Sequence, residues 1–219
     1  MTTERKEELI RRITEKENFP LARNEANQIF HSESLDDCLD YAFEFYQSDN
    51  TQVQILGVFL FGLIAEKRPN ALQFLRNTVR QKGDWRVQEI LAMAFDSFCK
   101  ANGYEQSLPI IKEWLGDNRP NVRRAVTEGL RIWTGRPYFK EHPEIAVSLL
   151  SELRQDESEY VRKSVGNALR DISKKYPAMI AEELKKWDTS IKHVNQVYKL
   201  ASKFIIDLGD GKDERKQGI

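Results

Sequence analysis

Apolar residues along the chain recur with the three- and four-residue spacing of amphipathic helices. Two clear stripes are formed by Leu39, Ala42, Phe43 and Tyr46, and by Ile145, Leu149, Leu150 and Leu153. Runs in which apolar and polar residues alternate, as they do in half-buried strands, are scarce. The pattern therefore predicts an all-α protein with ten or more helices in antiparallel succession and no β-sheet.

Prolines and polar clusters divide this helical pattern into short units. Pro109, Pro143 and Pro177 each precede an apolar-periodic segment, which predicts a first-turn position for all three. Short loops are predicted around 49–50, 82–84, 116–118 and 156–158. The most apolar run, VQILGVFLFGLIA at 53–65, is about 13 residues long, whereas a membrane span needs about 20. This run is therefore predicted to be a buried core helix.

An internal repeat predicts the architecture. The segments DNTQVQILG, DWRVQEILA, DNRPNVRRAV and DESEYVRKSV share a valine, and the four valines are 34, 35 and 39 residues apart. A helix-pair repeat of this period is typical of an α-solenoid, and the pattern resembles the HEAT repeat. We expect the aspartate of the repeat to cap the second helix and the valine to pack in its first turn. Where a basic residue follows the valine, as in the last two repeats, we expect it to link to the neighbouring loop.

The predicted organisation is one HEAT-like repeat domain over 1–208. Its N-terminal helices occupy 1–48 and its repeats begin at about 49. The segment 209–219 has little apolar content, which predicts a frayed polar tail.

Composition suggests little about partners at first. The 34 basic residues balance 34 acidic ones, so the total charge gives no reason to expect nucleic acid or a membrane. Two cysteines and three widely separated histidines provide no disulfide framework and no metal-ligand spacing. The N-terminus is too highly charged for a signal peptide. We therefore expect a cytoplasmic, monomeric protein without a membrane anchor, cofactor or metal.

One face of the second helices changes character along the chain. Two, six and ten residues after the repeat valine, the first repeat is apolar, whereas later repeats become polar. The polar residues at these positions are Glu89, Ser97, Arg124, Glu128, Lys163, Asn167 and Asp171, and all but Ser97 are candidates for the lining of a groove. Because second helices of such repeats usually line the concave surface, the pattern predicts a polar groove. The alternative is a solvated helix face with ion pairs four residues apart.

Charge is unevenly distributed along the chain. Residues 1–60 carry 6 basic and 12 acidic residues, whereas 119–140 carry 6 basic residues and Glu128 alone, a net charge of +5. Arginine matches the geometry of phosphate oxygens, so this region is a candidate for DNA contact. The candidate contacts here and in the next repeat are Arg123, Arg124, Arg131, Arg136, Arg162, Lys163 and Asn167.

Aromatic residues interleave with arginines in RIWTGRPYF at 131–139, where the repeat is longer than the one before. Trp133 is therefore a candidate for stacking on bases or wedging between them. The alternative is a packed loop in which Trp133, Tyr138 and Phe139 are core residues.

The stretch NVRRAVTEGLR, followed by SEYVRKSVGNALRDISKKYP, resembles the AlkC/AlkD family of DNA alkylation repair proteins. Members of that family are HEAT-like repeat DNA glycosylases that excise cationic N3- and N7-alkylated purines. The resemblance is strongest over about 84–187, and YVRKSVGNALRDI is more similar to the AlkC branch than to the AlkD branch. It implies a glycosylase that acts on damaged or distorted double-stranded DNA and needs no cofactor.

The resemblance also implies site residues. Trp85 matches a tryptophan of the AlkD-type Trp-Trp-Asp motif, and Glu89 matches the catalytic aspartate of that motif and falls where AlkC-type proteins carry a catalytic glutamate. Arg124 matches an active-site arginine. Asn167 stands where AlkD has a second cleft tryptophan, and Asp171 matches the aspartate of the AlkC Asn-x-x-x-Asp stretch. Glu89 and Asp171 would supply carboxylates, and Trp85 would stack on the cationic base.

Two departures from the family pattern leave other hypotheses about the function open. The tryptophan at Trp85 is not doubled, and the loop at 132–137 differs from the Pro-rich loop of AlkC-like proteins. The wider family includes paralogues that bind distorted or branched DNA without detectable base excision. A non-catalytic DNA binder and a HEAT-type scaffold for a protein partner therefore remain as alternatives.

Overall fold

The computed structural model describes residues 1–15, 18–79 and 85–205, except the side chains of Trp85 and Gln88. Every regular element in these ranges is helical, as the apolar periodicity predicts. The helices are α1 (Thr3–Thr14), α2 (Phe19–Ser32), α3 (Leu35–Tyr46), α4 (Thr51–Ile64), α5 (Pro69–Asn77), α6 (Trp85–Asn102), α7 (Leu108–Leu115), α8 (Pro120–Trp133), α9 (Pro137–Glu141), α10 (Pro143–Glu152), α11 (Glu159–Ser173), α12 (Pro177–Lys185) and α13 (Lys192–Ala201).

Proline and short polar residues determine where helices begin. The predicted first-turn positions of Pro109, Pro143 and Pro177 are confirmed, and all seven prolines of the chain occupy a first or second helical position. Proline suits these positions because the first turn has no intrahelical partner for its N–H groups. Elsewhere a side chain supplies that partner: Ser34 caps α3 by accepting the Asp37 N–H at 3.1 Å.

The first of two compact units comprises Met1–Leu108. Its central helix is α4, which is buried along almost its whole length and packs against α2, α3 and α6. This confirms the core-helix prediction for 53–65. The backbones of α4 and α6 approach closely, since a Cβ added to Gly62 would lie 2.6 Å from the Ala94 Cα.

The second compact unit begins at Pro109. Its helix α11 packs against α8 and α13, with α10 and α12 as further neighbours. A close approach recurs here, because a Cβ added to Gly166 would lie 2.7 Å from the Leu200 Cβ on α13. The predicted single domain over 1–208 stays a prediction, and the predicted tail at 209–219 lies outside the described residues, as does the predicted loop at 82–84.

In the structure the valines of the repeat behave as predicted, whereas two of its aspartates do not. The four repeat valines are all buried, as expected. The capping prediction is wrong for Asp117 and Asp156, because each stands two residues before the N-cap and accepts the N–H of the N-cap residue, at 3.0 and 2.8 Å. This is the turn that a short acidic side chain favours, with helical geometry starting only after it.

Three further features of the described residues bear on function. No described helix is long and apolar enough to cross a membrane. Within the described ranges, no group of three or more histidine, cysteine or acidic side chains is placed to hold a metal ion. Both cysteines are buried as free thiols, and burial raises the pKa of Cys99 above its ordinary value.

The contact between α4 and α6 predicts the effect of a small substitution. We expect Gly62→Ala to lower the free energy of unfolding by about 1–3 kcal/mol, because the added methyl group overpacks the contact with Ala94. The intrinsic helix preference of alanine over glycine, up to about 1 kcal/mol, acts in the opposite direction. Urea unfolding monitored by circular dichroism measures the change.

The matched control is Gly116→Ala. A Cβ at Gly116 would lie 3.6 Å from the Lys112 carbonyl oxygen, an ordinary van der Waals distance, so stability should change little. A Gly62→Ala variant as stable as the wild type would contradict the close packing of the two helices.

Candidate functional site

A cavity in the first unit contains the predicted catalytic carboxylate. It has a volume of about 580 Å³. Its lining comprises residues of α2 and α6, namely Phe19, Pro20, Arg23, Asn24, Asn27, Glu89 and Met93. This volume falls in the range of about 300–1,000 Å³ that is usual for pockets that bind small ligands. The cavity therefore combines a carboxylate, a guanidinium, two amides and an apolar lining.

The α2 side of this cavity is fixed by local hydrogen bonds. The Asn18 side chain caps the helix by accepting the Leu21 N–H at 3.0 Å, and the Asn18 N–H donates to Gln52 on α4 at 3.3 Å. The buried Glu25 forms an ion pair with Arg12 of α1. Asn27 donates from Nδ2 to the Arg23 carbonyl oxygen at 2.8 Å. The first turns of α2 are thus held in place beside the cavity.

Glu89 lies on α6 in the second turn of the helix. Its neighbours Val87, Ile90 and Leu91 are buried, whereas Glu89 itself is exposed at the cavity. The helical twist explains this contrast, because successive residues differ by about 100° around the axis. Trp85 is the first residue of α6, and its side chain lies outside the described residues.

A network of alternating charges runs along α8 and α11 in the second unit. On α8, Glu128 contacts Arg131 at 3.1 Å and Arg124 at 3.7 Å. From Arg131 the network continues to Asp171 on α11 at 3.2 Å, and Asp171 also contacts Lys174 at 3.1 Å. With Arg170 at 3.5 Å from Asp171, four cations surround two carboxylates. The network therefore carries a net charge of +2 at neutral pH.

Asp171 stays ionised within this network. Its partial burial acts to raise the pKa of the carboxyl group, but the hydrogen bond from Lys174 and the charges of Arg170 and Arg131 outweigh burial, so the pKa lies below the ordinary value. The charge of the Asp171 carboxylate is largely offset by these partners.

Hydroxyl groups and an aromatic ring hold the α8 end of the network. Ser164 donates to Glu128 at 2.8 Å and lies 2.6 Å from the Thr127 hydroxyl oxygen. The Arg124 guanidinium lies 4.6 Å from the centroid of the Tyr160 ring, within the range of a cation–π contact. Arg124 is thus held over a half-exposed aromatic face.

Three other predicted DNA contacts are exposed or half-buried. Two of them lie on α11, and the third lies at the start of α9. Lys163 is exposed and pairs with Glu159 at 2.7 Å. Asn167 is half-buried and stands one turn before Asp171. Arg136, also half-buried, is the N-cap residue of α9. These three side chains remain candidates for DNA contact.

The structure corrects the predicted roles of Arg123 and Arg162. Arg123 binds both carboxylate oxygens of Asp156, at 2.6 and 2.7 Å, and donates to the Asp117 carbonyl oxygen. Arg162 is only 6% exposed and donates to Gln196 and to the carbonyl oxygens of residues 156 and 157. Both guanidinium groups are occupied in bracing loops, which confirms the linking role predicted for the residue after the repeat valine.

Trp133 is also corrected as a DNA contact. It is fully buried, its ring stacks on Phe139 with centroids 5.6 Å apart, and its indole covers Gly129 one turn earlier. A ring enclosed in this way offers no face to a base. The alternative, in which these aromatic residues belong to the core, is confirmed for Trp133 and Phe139, whereas Tyr138 is half-buried and the residues lie on α8 and α9.

The sequence did not reveal the α2 residues that line the cavity, which we call the α2 wall: Phe19, Pro20, Arg23, Asn24 and Asn27. The repeats begin at about 49. A comparison of repeat positions therefore could not identify Phe19, Arg23 and Asn24, which lie before the repeats. A weak signal was present, because Arg23 is one of only six basic residues in the acidic segment 1–60.

Comparisons with known proteins relate the chain to proteins of DNA repair. A family model described as DNA alkylation repair enzyme matches residues 17–204. The crystal structure of AlkD2 from Streptococcus mutans is 49% identical in sequence and superposes with a TM-score of 0.86, covering 91% of this chain and 98% of that one.

More distant relatives share the fold or part of the sequence. The alkylpurine DNA glycosylase AlkC of Pseudomonas fluorescens, solved with DNA containing an abasic site analog, is 20% identical with a TM-score of 0.52, over 88% of this chain and 63% of that one. The uncharacterized protein YhaZ of Bacillus subtilis (strain 168) is 34% identical over 110 residues, 48% of this chain. That match spans 31% of the length of YhaZ.

These findings confirm both the predicted fold class and the family resemblance. The two solved structures share the all-helical, HEAT-like repeat fold. The family model covers most of the chain, including the cavity residues from Phe19 onward and the α8 and α11 network. The chain belongs to the DNA alkylation repair enzyme family.

Proposed function

We propose that this protein binds duplex DNA and removes cationic alkylated purines, of the 3-methyladenine or 7-methylguanine type, with Glu89 as the carboxylate that assists the reaction. The observation that carries the proposal is the position of Glu89, exposed in the lining of a cavity of about 580 Å³. Membership of the family supports the substrate class.

The reaction requires little from the protein beyond electrostatics. An N3- or N7-alkylated purine is already positively charged, so it leaves with the electron pair of the glycosidic bond and needs no added proton. Positive charge then grows on the deoxyribose, and water forms the new bond to C1′ and gives up a proton. A fixed carboxylate stabilises that growing charge and can orient the water. Glu89 is placed for this role if the sugar enters the cavity.

The rest of the cavity suits a nucleotide. Phe19 and Met93 provide an apolar lining, and Asn24 and Asn27 place amides beside it. We assign the stacking role to Trp85, since an aromatic face attracts a cationic base with about 0.5–2 kcal/mol. Asp171 is less suited to the reaction, because three cations already offset its charge.

DNA phosphates would be bound by cations of the second unit. The proposed contacts are the exposed Arg131 and Lys163 and the largely buried Arg124, together with Arg136 and Asn167. Arginine binds phosphate through two parallel N–H donors, which gives both affinity and orientation. The carboxylates Glu128 and Asp171 compete with phosphate for Arg124 and Arg131, so we expect moderate non-specific affinity.

A second candidate function is DNA binding without base excision. It is favoured by the three cations that offset the charge of the Asp171 carboxylate, which leave one carboxylate fewer for chemistry than the sequence suggests. Both candidates bind DNA, and base release distinguishes them. A scaffold for a protein partner would show no salt-dependent binding to DNA.

Glu89→Gln tests the catalytic carboxylate. We expect single-turnover release of 3-methyladenine from alkylated duplex DNA to fall by about 100-fold or more, because the amide keeps the shape of the side chain but loses its charge. DNA affinity should change little, since the amide adds no phosphate contact. Chromatography of the released base measures the rate.

The matched control is Glu105→Gln, an exposed glutamate of the same unit that does not line the cavity. It should release base at the wild-type rate. Equal rates for Glu89→Gln and wild type would remove Glu89 from the mechanism. DNA binding by a wild type that releases no base would leave the second candidate.

Glu128→Gln tests the competition between carboxylates and phosphate. The amide can still accept the hydrogen bond from Ser164, but Arg124 and Arg131 lose an anionic partner. Fluorescence anisotropy at about 0.1 M salt should show duplex binding about two- to fivefold tighter than the wild type.

Glu182→Gln serves as the control for this gain of affinity. It removes the same charge from an exposed pair with Lys185 on α12, 2.5 Å apart, so duplex affinity should rise less. Weaker or unchanged binding by Glu128→Gln would show that DNA does not use the α8 arginines.

A further inference from the structure

Arg23 differs from the other cations of the acidic N-terminal segment. Of the six basic residues in 1–60, Lys16 lies outside the described residues. Arg5, Lys6, Arg11 and Arg12 each pair with a glutamate. Among the described residues, Arg23 has no carboxylate partner within 4.0 Å. Its guanidinium is therefore available to an anion from outside.

The position of Arg23 indicates which anion its guanidinium binds. It is an exposed residue of α2 that lines the same cavity as Glu89 of α6. The Asn27 side chain holds the Arg23 carbonyl oxygen at 2.8 Å, so the backbone that carries the guanidinium is fixed. One cavity thus has a cation on its α2 side, a carboxylate on its α6 side and the apolar side chains of Phe19 and Met93 in its lining.

We infer that Arg23 binds the phosphate of a nucleotide whose sugar lies at Glu89, and that α2 is a binding wall of the site. A nucleotide with an alkylated purine has an anionic phosphate, an apolar ring face and a cationic base, which match the three kinds of group in the cavity. Arginine is suited to the phosphate because its planar fork donates two parallel hydrogen bonds. The inference rests on the proposed function for the role of Glu89.

The acidic surroundings make this contact selective. Residues 1–60 carry a net charge of −6, so this segment repels a DNA backbone that approaches at random. Arg23, which makes no ion pair among the described residues, offers attraction at one point in the lining of the cavity. Arg23 would therefore position a strand with little addition to non-specific affinity.

The test uses duplexes that contain an abasic-site analogue and one uncharged methylphosphonate in place of a phosphate near it. The wild-type protein should bind about tenfold more weakly when the phosphate that contacts Arg23 is replaced. Arg23→Ala should bind the unmodified duplex about tenfold more weakly. Replacing that one phosphate by a methylphosphonate should then cause no further loss of affinity. For Arg23→Ala, the slope of log affinity against log salt should be smaller by about 0.9.

Arg11→Ala is the matched control, because it removes one exposed arginine from the same unit but outside the cavity lining. It should keep every methylphosphonate penalty and the wild-type salt slope. Arg23 is exposed and makes no ion pair among the described residues, so Arg23→Ala should show the wild-type melting temperature.

Competition with free deoxyadenosine monophosphate identifies the source of the phosphate. If the cavity takes a nucleotide of the DNA strand, the free nucleotide at about 1 mM leaves the duplex bound. If it takes free nucleotides, the duplex is displaced from the wild type but not from Arg23→Ala. Either result supports the nucleotide site, whereas an Arg23→Ala protein that matches the wild type in both arms overturns it.

Failure of this inference is distinct from failure of the proposed function. If the wild type releases no base but loses affinity when the phosphate near Arg23 is replaced, the phosphate contact of Arg23 is supported and the proposed base excision is not. A wild type that releases base while Arg23→Ala keeps every phosphate penalty retains the chemistry and overturns the role of Arg23.

Discussion

The close contact between second helices of neighbouring repeats is the constraint on which both candidate surfaces depend. Gly62 lies against Ala94 and Gly166 against Leu200, with no room for a methyl group in either place. Such contacts commit one side of α6 and of α11 to packing, and the polar residues of these two helices lie on their other sides. Glu89 is exposed at its cavity because its neighbours on α6 are buried in this contact layer.

The arginines of α8 differ in what they contact. Arg123 and Arg124 are adjacent in sequence, but the helical twist sends them in different directions. Arg123 braces the loop at Asp156, whereas Arg124 joins the network on α8. A count of positive charge along the sequence therefore overestimates the cations that DNA can reach.

The neutral composition of the chain, with 34 basic and 34 acidic residues, is accompanied by extensive pairing of charges in the structure. Many cations have an anionic partner in the protein, and the network of α8 and α11 retains a net charge of only +2. Phosphate must compete with Glu128 and Asp171, which limits binding to ordinary DNA.

Periodicity and repeats were sufficient to predict the helices, the buried valines and the loop-linking arginines, because each follows from spacing along one chain segment. The burial of Trp133 was left open, since it depends on Gly129 and on the stacking of Phe139 from the next helix. The α2 wall was missed because Phe19 and Arg23 belong to no repeat. Their meeting with Glu89 arises from tertiary packing alone.

The central claim is that the cavity of Glu89 stabilises positive charge on a deoxyribose. The most direct measurement compares wild-type affinity for two duplexes, one with a cationic and one with a neutral abasic-site analogue. We predict tighter binding of the cationic analogue, by about tenfold or more, because it resembles the charge of the transition state. Equal affinity for the two duplexes would contradict the account.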